Sequence, residues 1–152
     1  MAKVKPKSDP ADEAFHTADL LHSAAIHLLR LVRLQDAKSG QGPARLSALS
    51  VLVFGGPMTL GKLAAAEQVR PPTMTRIVTG LERFSLAERI RDPADARRTQ
   101  IRATTKGTRI LQAARQRRIT YLARHLDVLT KDDLRMLQTA TQMLERALHG
   151  RR

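Results

Sequence analysis

Residues 88–107, ERIRDPADARRTQIRATTKG, restrict the fold of this 152-residue chain more than any other stretch. Two short segments, Glu88-Arg89-Ile90-Arg91 and Thr99-Gln100-Ile101-Arg102-Ala103, flank the run Asp92-Pro93-Ala94-Asp95-Ala96 and the pair Arg97-Arg98. Proline presets φ and aspartate bonds nearby backbone, so the run between them is a turn. The alternation on either side predicts a β-hairpin over 88–103, with Ile90 and Ile101 facing inward and guanidinium groups at the tip. Such a tip suits the narrow, negatively charged minor groove of DNA. The other reading is a solvated, charged surface hairpin, and the hairpin alone does not choose between them.

Charge narrows the choice. Lys and Arg number 27 against 14 Asp and Glu, a formal net charge of +13. That balance concentrates polyanions at the surface. Nucleic acid is the first candidate and an anionic membrane the second. Aromatic residues are only 3% of the chain, with no Trp and one Tyr, which argues against a base-stacking platform for single strands. Double-stranded DNA, contacted through phosphates and groove edges, fits better. No cysteine is present, which excludes disulfides and thiolate metal sites. No apolar run is long enough to span a bilayer and no signal sequence opens the chain, so a cytoplasmic protein without a membrane partner is expected.

Helical spacing organises the rest. Residues 1–8 are basic and aperiodic, a loose arm. Asp9 can cap a helix that Pro10 begins, and Asp12 and Glu13 suit the positive end of its dipole. Leu21, Ala24, Ala25, Leu28, Leu31 and Val32 keep helical phase, predicting one long amphipathic helix to about Lys38. The run 39–43 breaks it. A more buried helix follows over 45–54, then a short helix over 60–68 capped by Thr59, a break at 69–71, and a helix over 72–84. Helix, brief turn and helix form a helix-turn-helix, and the hairpin comes directly after it. Thr104 or Thr105 opens a long helix to about Leu126. Thr130-Lys131-Asp132-Asp133 resembles a capping box with Asp in place of Glu and opens a last helix to about Leu148.

The fold class is therefore mainly α with a small β-hairpin wing. It consists of a winged helix-turn-helix over 43–107, an N-terminal helix over 9–42 and C-terminal helices over 108–152. Leu122, Leu126 and Leu129 form an apolar stripe on one terminal helix; Leu134, Leu137, Met143, Leu144 and Leu148 form another. The small central unit cannot cover both, so a homodimer joined through these helices is expected. Burial within a single chain is the alternative.

In a helix-turn-helix, the first residues of the second helix reach base edges in the major groove. Here they are Thr73, Met74, Thr75 and Arg76. Threonine can bond bases or phosphates, and Arg76 can grip guanine with two hydrogen bonds. Ile77, Val78 and Leu81 would face the core, and Arg83 would meet a phosphate or a carboxylate. Each polar side chain taken alone could be ordinary solvated helix surface; all together, ahead of a basic hairpin, they fit an interface. Thr59 is an N-cap first, and helix N-termini also hold phosphates.

Residues 60–107 resemble the MarR family of bacterial transcription regulators. The resemblance lies in LGKLAAAEQV, in TMTRIVTGLERFSLAER, and in DPADARRTQIRATTKG. The last matches the family's wing signature of Asp, one residue, then Arg, closing on a Thr-x-x-Gly helix start. It implies a homodimer that binds a pseudo-palindromic operator, usually as a repressor. It also implies that Arg97 enters the minor groove, steadied by Asp95; Arg98 lies beyond the matched position and is assigned a phosphate. A further implication is a small aromatic or anionic effector between the dimerisation helices and the winged helix, for which no pocket residue can be transferred. Two positions depart from the pattern. Ser85 stands where the family has Gly, and Pro71-Pro72 opens the recognition helix.

Other functions find less support. His16, His22 and His27 are spaced by six and five residues rather than the four that chelate from one helix face, so neither a metal nor another cofactor is expected. Phosphate loop, nucleophile elbow and paired catalytic carboxylates are all missing, so the chain is not read as an enzyme. The rival is a non-specific architectural DNA-binding protein driven by charge alone.

Overall fold

The computed structural model describes residues 10–91, 95 and 98–150. The expected basic arm over 1–8, the capping role of Asp9, and Asp92, Pro93, Ala94 and Arg97 of the turn lie outside the described residues. Helix α1 spans Pro10–Arg33, with Asp12 and Glu13 in its first turn and Arg30 and Arg33 in its last, both arranged to favour the dipole. It ends earlier than the spacing predicts. Asp36, 3% exposed, turns inward, and its Oδ1 accepts a hydrogen bond from Arg118 Nε at 2.6 Å. A 3-10 turn over Ala37–Ser39 follows, and Gly40 closes it at φ 67°. This pairing across 82 residues is invisible to local periodicity.

Helix α2 (Pro43–Gly55) starts on a proline, whose missing N–H would have no helical partner at that position. Strand β1 (Met58–Thr59) leads into α3 (Leu60–Ala66), then α4 (Pro71–Arg83), strands β2 (Ala87–Arg91) and β3 (Thr99–Ala103), α5 (Thr105–Leu126) and α6 (Lys131–His149). The sheet is antiparallel in the order β1-β3-β2, so the expected two-stranded wing carries a third strand. A two-residue strand shows no alternation and leaves no sequence signal.

Register corrects a second expectation. Arg89 pairs with Ile101 and Ile90 with Gln100. Paired residues share a face, so Ile90 and Ile101 point to opposite sides of the sheet. Ile101 is buried beside Met58, its partner in β1. Ile90 lies half-buried on the other side.

The core gathers Leu49 and Leu52 of α2, Leu63 of α3, Met74, Val78 and Leu81 of α4, Leu86, Ile101 and Leu111. Each large side chain so buried contributes roughly 1.5–3 kcal/mol of apolar transfer. Met74 is fully buried and belongs to this core rather than to a base-reading surface, which corrects its expected place. At the far end, the Thr130 hydroxyl accepts from Asp133 N and the Asp133 carboxylate accepts from Thr130 N, a complete capping box. The Thr130 hydroxyl, then its amide, hold the Asp133 carboxyl below the usual carboxylate range.

Candidate nucleic-acid interface

Helix α4 has two distinct faces. Met74, Val78 and Leu81 repeat at helical spacing and are sealed in the core, which turns Thr73, Thr75 and Arg76 outward into solvent. Arg70 precedes the helix as its N-cap without a side-chain cap bond, and Pro71 occupies the first helical position. The Pro71-Pro72 departure is therefore accommodated in a first turn that needs no proline N–H. The Thr75 hydroxyl donates to Pro71 O at 3.0 Å, so its oxygen is left to accept a bond from outside. Arg76 has no ion-pair partner among the described residues. Ile77 is half-buried at the edge of the core.

A contact that spacing could not suggest runs along the flank of this helix, beside Thr73 and Arg76. Arg45 of α2 lies with its guanidinium carbon 5.3 Å from the centre of the Phe84 ring, within cation–π range. Its chain passes over Gly80, where an added Cβ would stand 3.2 Å from Arg45 Cδ. Gly80 is unfavourable in a helix interior by roughly 1 kcal/mol relative to Ala, and the close passage of Arg45 accounts for it. That mid-helix glycine was the one signal in the sequence.

Thr59 caps α3, its Oγ1 accepting from Lys62 N at 3.3 Å. The capping role therefore holds, and its hydroxyl proton remains available to an outside acceptor. The wing stem is braced by Arg102 on Glu88 at 2.7 Å and Arg89 on Glu82 at 2.9 Å. At the tip, Arg98 Nε lies 3.2 Å from Asp95 Oδ2 and Arg98 N donates to Asp95 O at 2.8 Å. The described partner of Asp95 is thus Arg98, while Arg97 lies outside the described residues. An ion pair this exposed contributes little to stability, but it limits the directions a long side chain can sample.

The exit from α4 is a Schellman turn. Ser85 N donates to Glu82 O and Leu86 N to Leu81 O, each at 2.8 Å, with Ser85 left-handed at φ 57°. Serine thus adopts the conformation that glycine usually supplies, at a cost of about 1–2 kcal/mol.

Away from this surface, a groove of about 500 Å³ opens between the 3-10 turn and α5. Lys38, Arg117, Arg124 and Tyr121 line it, and the Arg117 Nε is buried without a hydrogen-bond partner among the described residues. No group of three or more His, Asp or Glu side chains among the described residues is placed to hold a metal ion. No described helix is long and apolar enough to cross a membrane.

A model of the MarR family matches residues 43–99. An HTH-type transcriptional regulator of Mycobacterium tuberculosis is 32% identical over 133 residues, covering 88% of this chain and 93% of the relative. A MarR family protein from Bacillus stearothermophilus matches in structure with a TM-score of 0.79 at 23% identity, over 93% of this chain and 99% of that one. A MepR mutant of S. aureus bound to an oligodeoxyribonucleotide matches with a TM-score of 0.65 at 18% identity, over 88% of this chain and 98% of that one.

Proposed function

Because the chain belongs to the MarR family of transcriptional regulators, we propose that it is a homodimeric repressor of a pseudo-palindromic operator. Sequence-specific DNA binding comes with family membership. The observation that carries the finer reading is the outward face of α4, which presents Thr73, Thr75 and Arg76 beside an arginine-bearing wing. In this reading Arg76 bonds a guanine edge, Thr73 donates to a base or a phosphate, and Thr75, whose proton is held by Pro71 O, accepts from a base amino group. Arg97 enters the minor groove, Asp95 orders the wing tip, and Arg98 and Thr59 contact phosphates.

Residues 43–107 act as the reading unit, and 9–42 and 108–152 act as the pairing helices. Exposed Phe15, Leu20 and Leu28 of α1, and Met136, Met143 and Leu148 of α6, support the pairing. Monomers rarely leave apolar surface of that extent open to water. An effector that relieves repression must bind the DNA-incompetent form more tightly. The cationic groove at Lys38, Arg117 and Arg124 suits an anionic one.

Arg97→Ala tests the wing. It is expected to weaken operator binding by about 1–3 kcal/mol, or roughly 5- to 150-fold, in fluorescence anisotropy. Unchanged affinity rejects the minor-groove role of Arg97.

A further inference from the structure

Three consecutive backbone carbonyls at the exit of α4 are each taken by a donor from the start of α5. Phe84 O accepts from Lys106 Nζ at 2.9 Å, Ser85 O from the Thr104 hydroxyl at 2.7 Å, and Leu86 O from Thr104 N at 3.0 Å. The same Thr104 hydroxyl accepts from Gly107 N at 3.0 Å, and the Thr104 carbonyl accepts from Thr108 N at 2.9 Å. One side chain therefore both caps α5 and holds the turn that ends α4. Gly107 lets the two elements close up, since a Cβ there would sit 2.0 Å from Leu86 O.

From this arrangement we infer that Thr104 and Lys106 are positioning residues for operator recognition, setting the angle at which α4 is presented relative to α5. Capping needs only an acceptor at position 104. The bond to Ser85 needs a donor as well, and a hydroxyl supplies both at once. Ser85 sits in a left-handed conformation that neighbouring contacts must maintain. Thr104 and Lys106 grip that residue and the one before it. A small rotation of α4 about this joint displaces Thr73 and Arg76, about 16 and 12 Å along the helix from Phe84, relative to any base edge they meet. The joint thus bears on selectivity more than on general attraction to DNA.

This inference rests on the reading of α4 as the DNA-reading helix, and the test separates the two. Affinity is measured for the palindromic duplex selected from genomic fragments by the wild-type protein, and for random duplex of equal length. The ratio of the two cancels any change in net charge. Thr104→Ser keeps acceptor and donor, and its ratio is expected to stay within twofold of wild type. Thr104→Asp keeps the cap, which aspartate supplies well, but turns a carboxylate toward the Ser85 carbonyl. Its ratio is expected to fall at least tenfold.

Lys106→Met, at an exposed position, is expected to lower the ratio without changing the slope of log affinity against log salt. A phosphate contact would instead reduce that slope by about 0.9 and leave the ratio alone. A wild-type ratio in Thr104→Asp, or in Lys106→Met should Thr104→Asp not fold, overturns the inference while leaving the DNA-reading assignment intact. A wild-type protein that prefers no duplex overturns both.

Discussion

Gly107→Ala is expected to destabilise the fold by about 3 kcal/mol, the upper end of what overpacking costs. A methyl group at this position would lie 2.0 Å from Leu86 O, 3.0 Å from Leu86 C and 3.1 Å from Leu49 Cδ1. Two of those neighbours are backbone atoms. Leu86 is pinned through its N–H to Leu81 O and through its carbonyl to Thr104 N, so it cannot retreat without breaking a bond. Leu49 is fully buried, so its methyl group has little room to give. Alanine's better helix propensity returns only about 1 kcal/mol. Gly61→Ala is the matched control, because nothing lies within 4 Å of a Cβ built there. Urea denaturation should show a much lower midpoint for Gly107→Ala and an equal or higher one for Gly61→Ala. A wild-type midpoint in Gly107→Ala would contradict the close packing of α5 on the exit of α4.

Leu137→Asp is expected to abolish self-association. Leu137 is 43% exposed in the single chain, and Met136, Met143 and Leu144 on the same helix are open as well. If these side chains pack against a second copy, an aspartate there becomes a buried, unpaired charge. Removing such a charge from water costs several kcal/mol. Twofold symmetry presents the substitution twice. A total of about 6 kcal/mol corresponds to roughly a ten-thousandfold rise in the dissociation constant of the dimer. Sedimentation velocity at micromolar concentration should find wild type as a dimer and the variant as a helical monomer. A variant that remains dimeric places the interface elsewhere, and a monomeric wild type removes it.

Helical phase and cap residues made much of this fold legible. Val78 and Leu81 fall inside because their spacing puts them there. Thr59, Thr104 and Thr130 cap because a short hydroxyl side chain precedes each apolar pattern. Thr73, Thr75 and Arg76 are legible from their place at the start of the second helix of the motif, and all three are exposed. Ser85 was conspicuous because it replaces glycine, and its left-handed φ bears that out.

What stayed hidden depends on partners distant in sequence. Asp36, just past the early end of α1, turns inward onto Arg118, and nothing in residues 30–40 announces it. Met74 is a different case: it stands four residues before Val78 and seven before Leu81, so helical phase alone places it in the core. The opposite facing of Ile90 and Ile101 is a matter of strand register, which a hairpin's composition leaves open. Arg45 over Phe84, and Thr104 on Ser85, join residues that lie 39 and 19 positions apart.

The most direct test of the account is competition. Wild-type protein is held on a fluorescent palindromic duplex selected from genomic fragments and titrated with unlabelled random duplex of equal length at physiological salt. A sequence-reading dimer should keep its site against about a thousandfold excess of competitor. Displacement at equimolar random duplex would show that charge alone drives binding, and would contradict the assignment of Thr73, Thr75, Arg76 and Arg97 to sequence recognition.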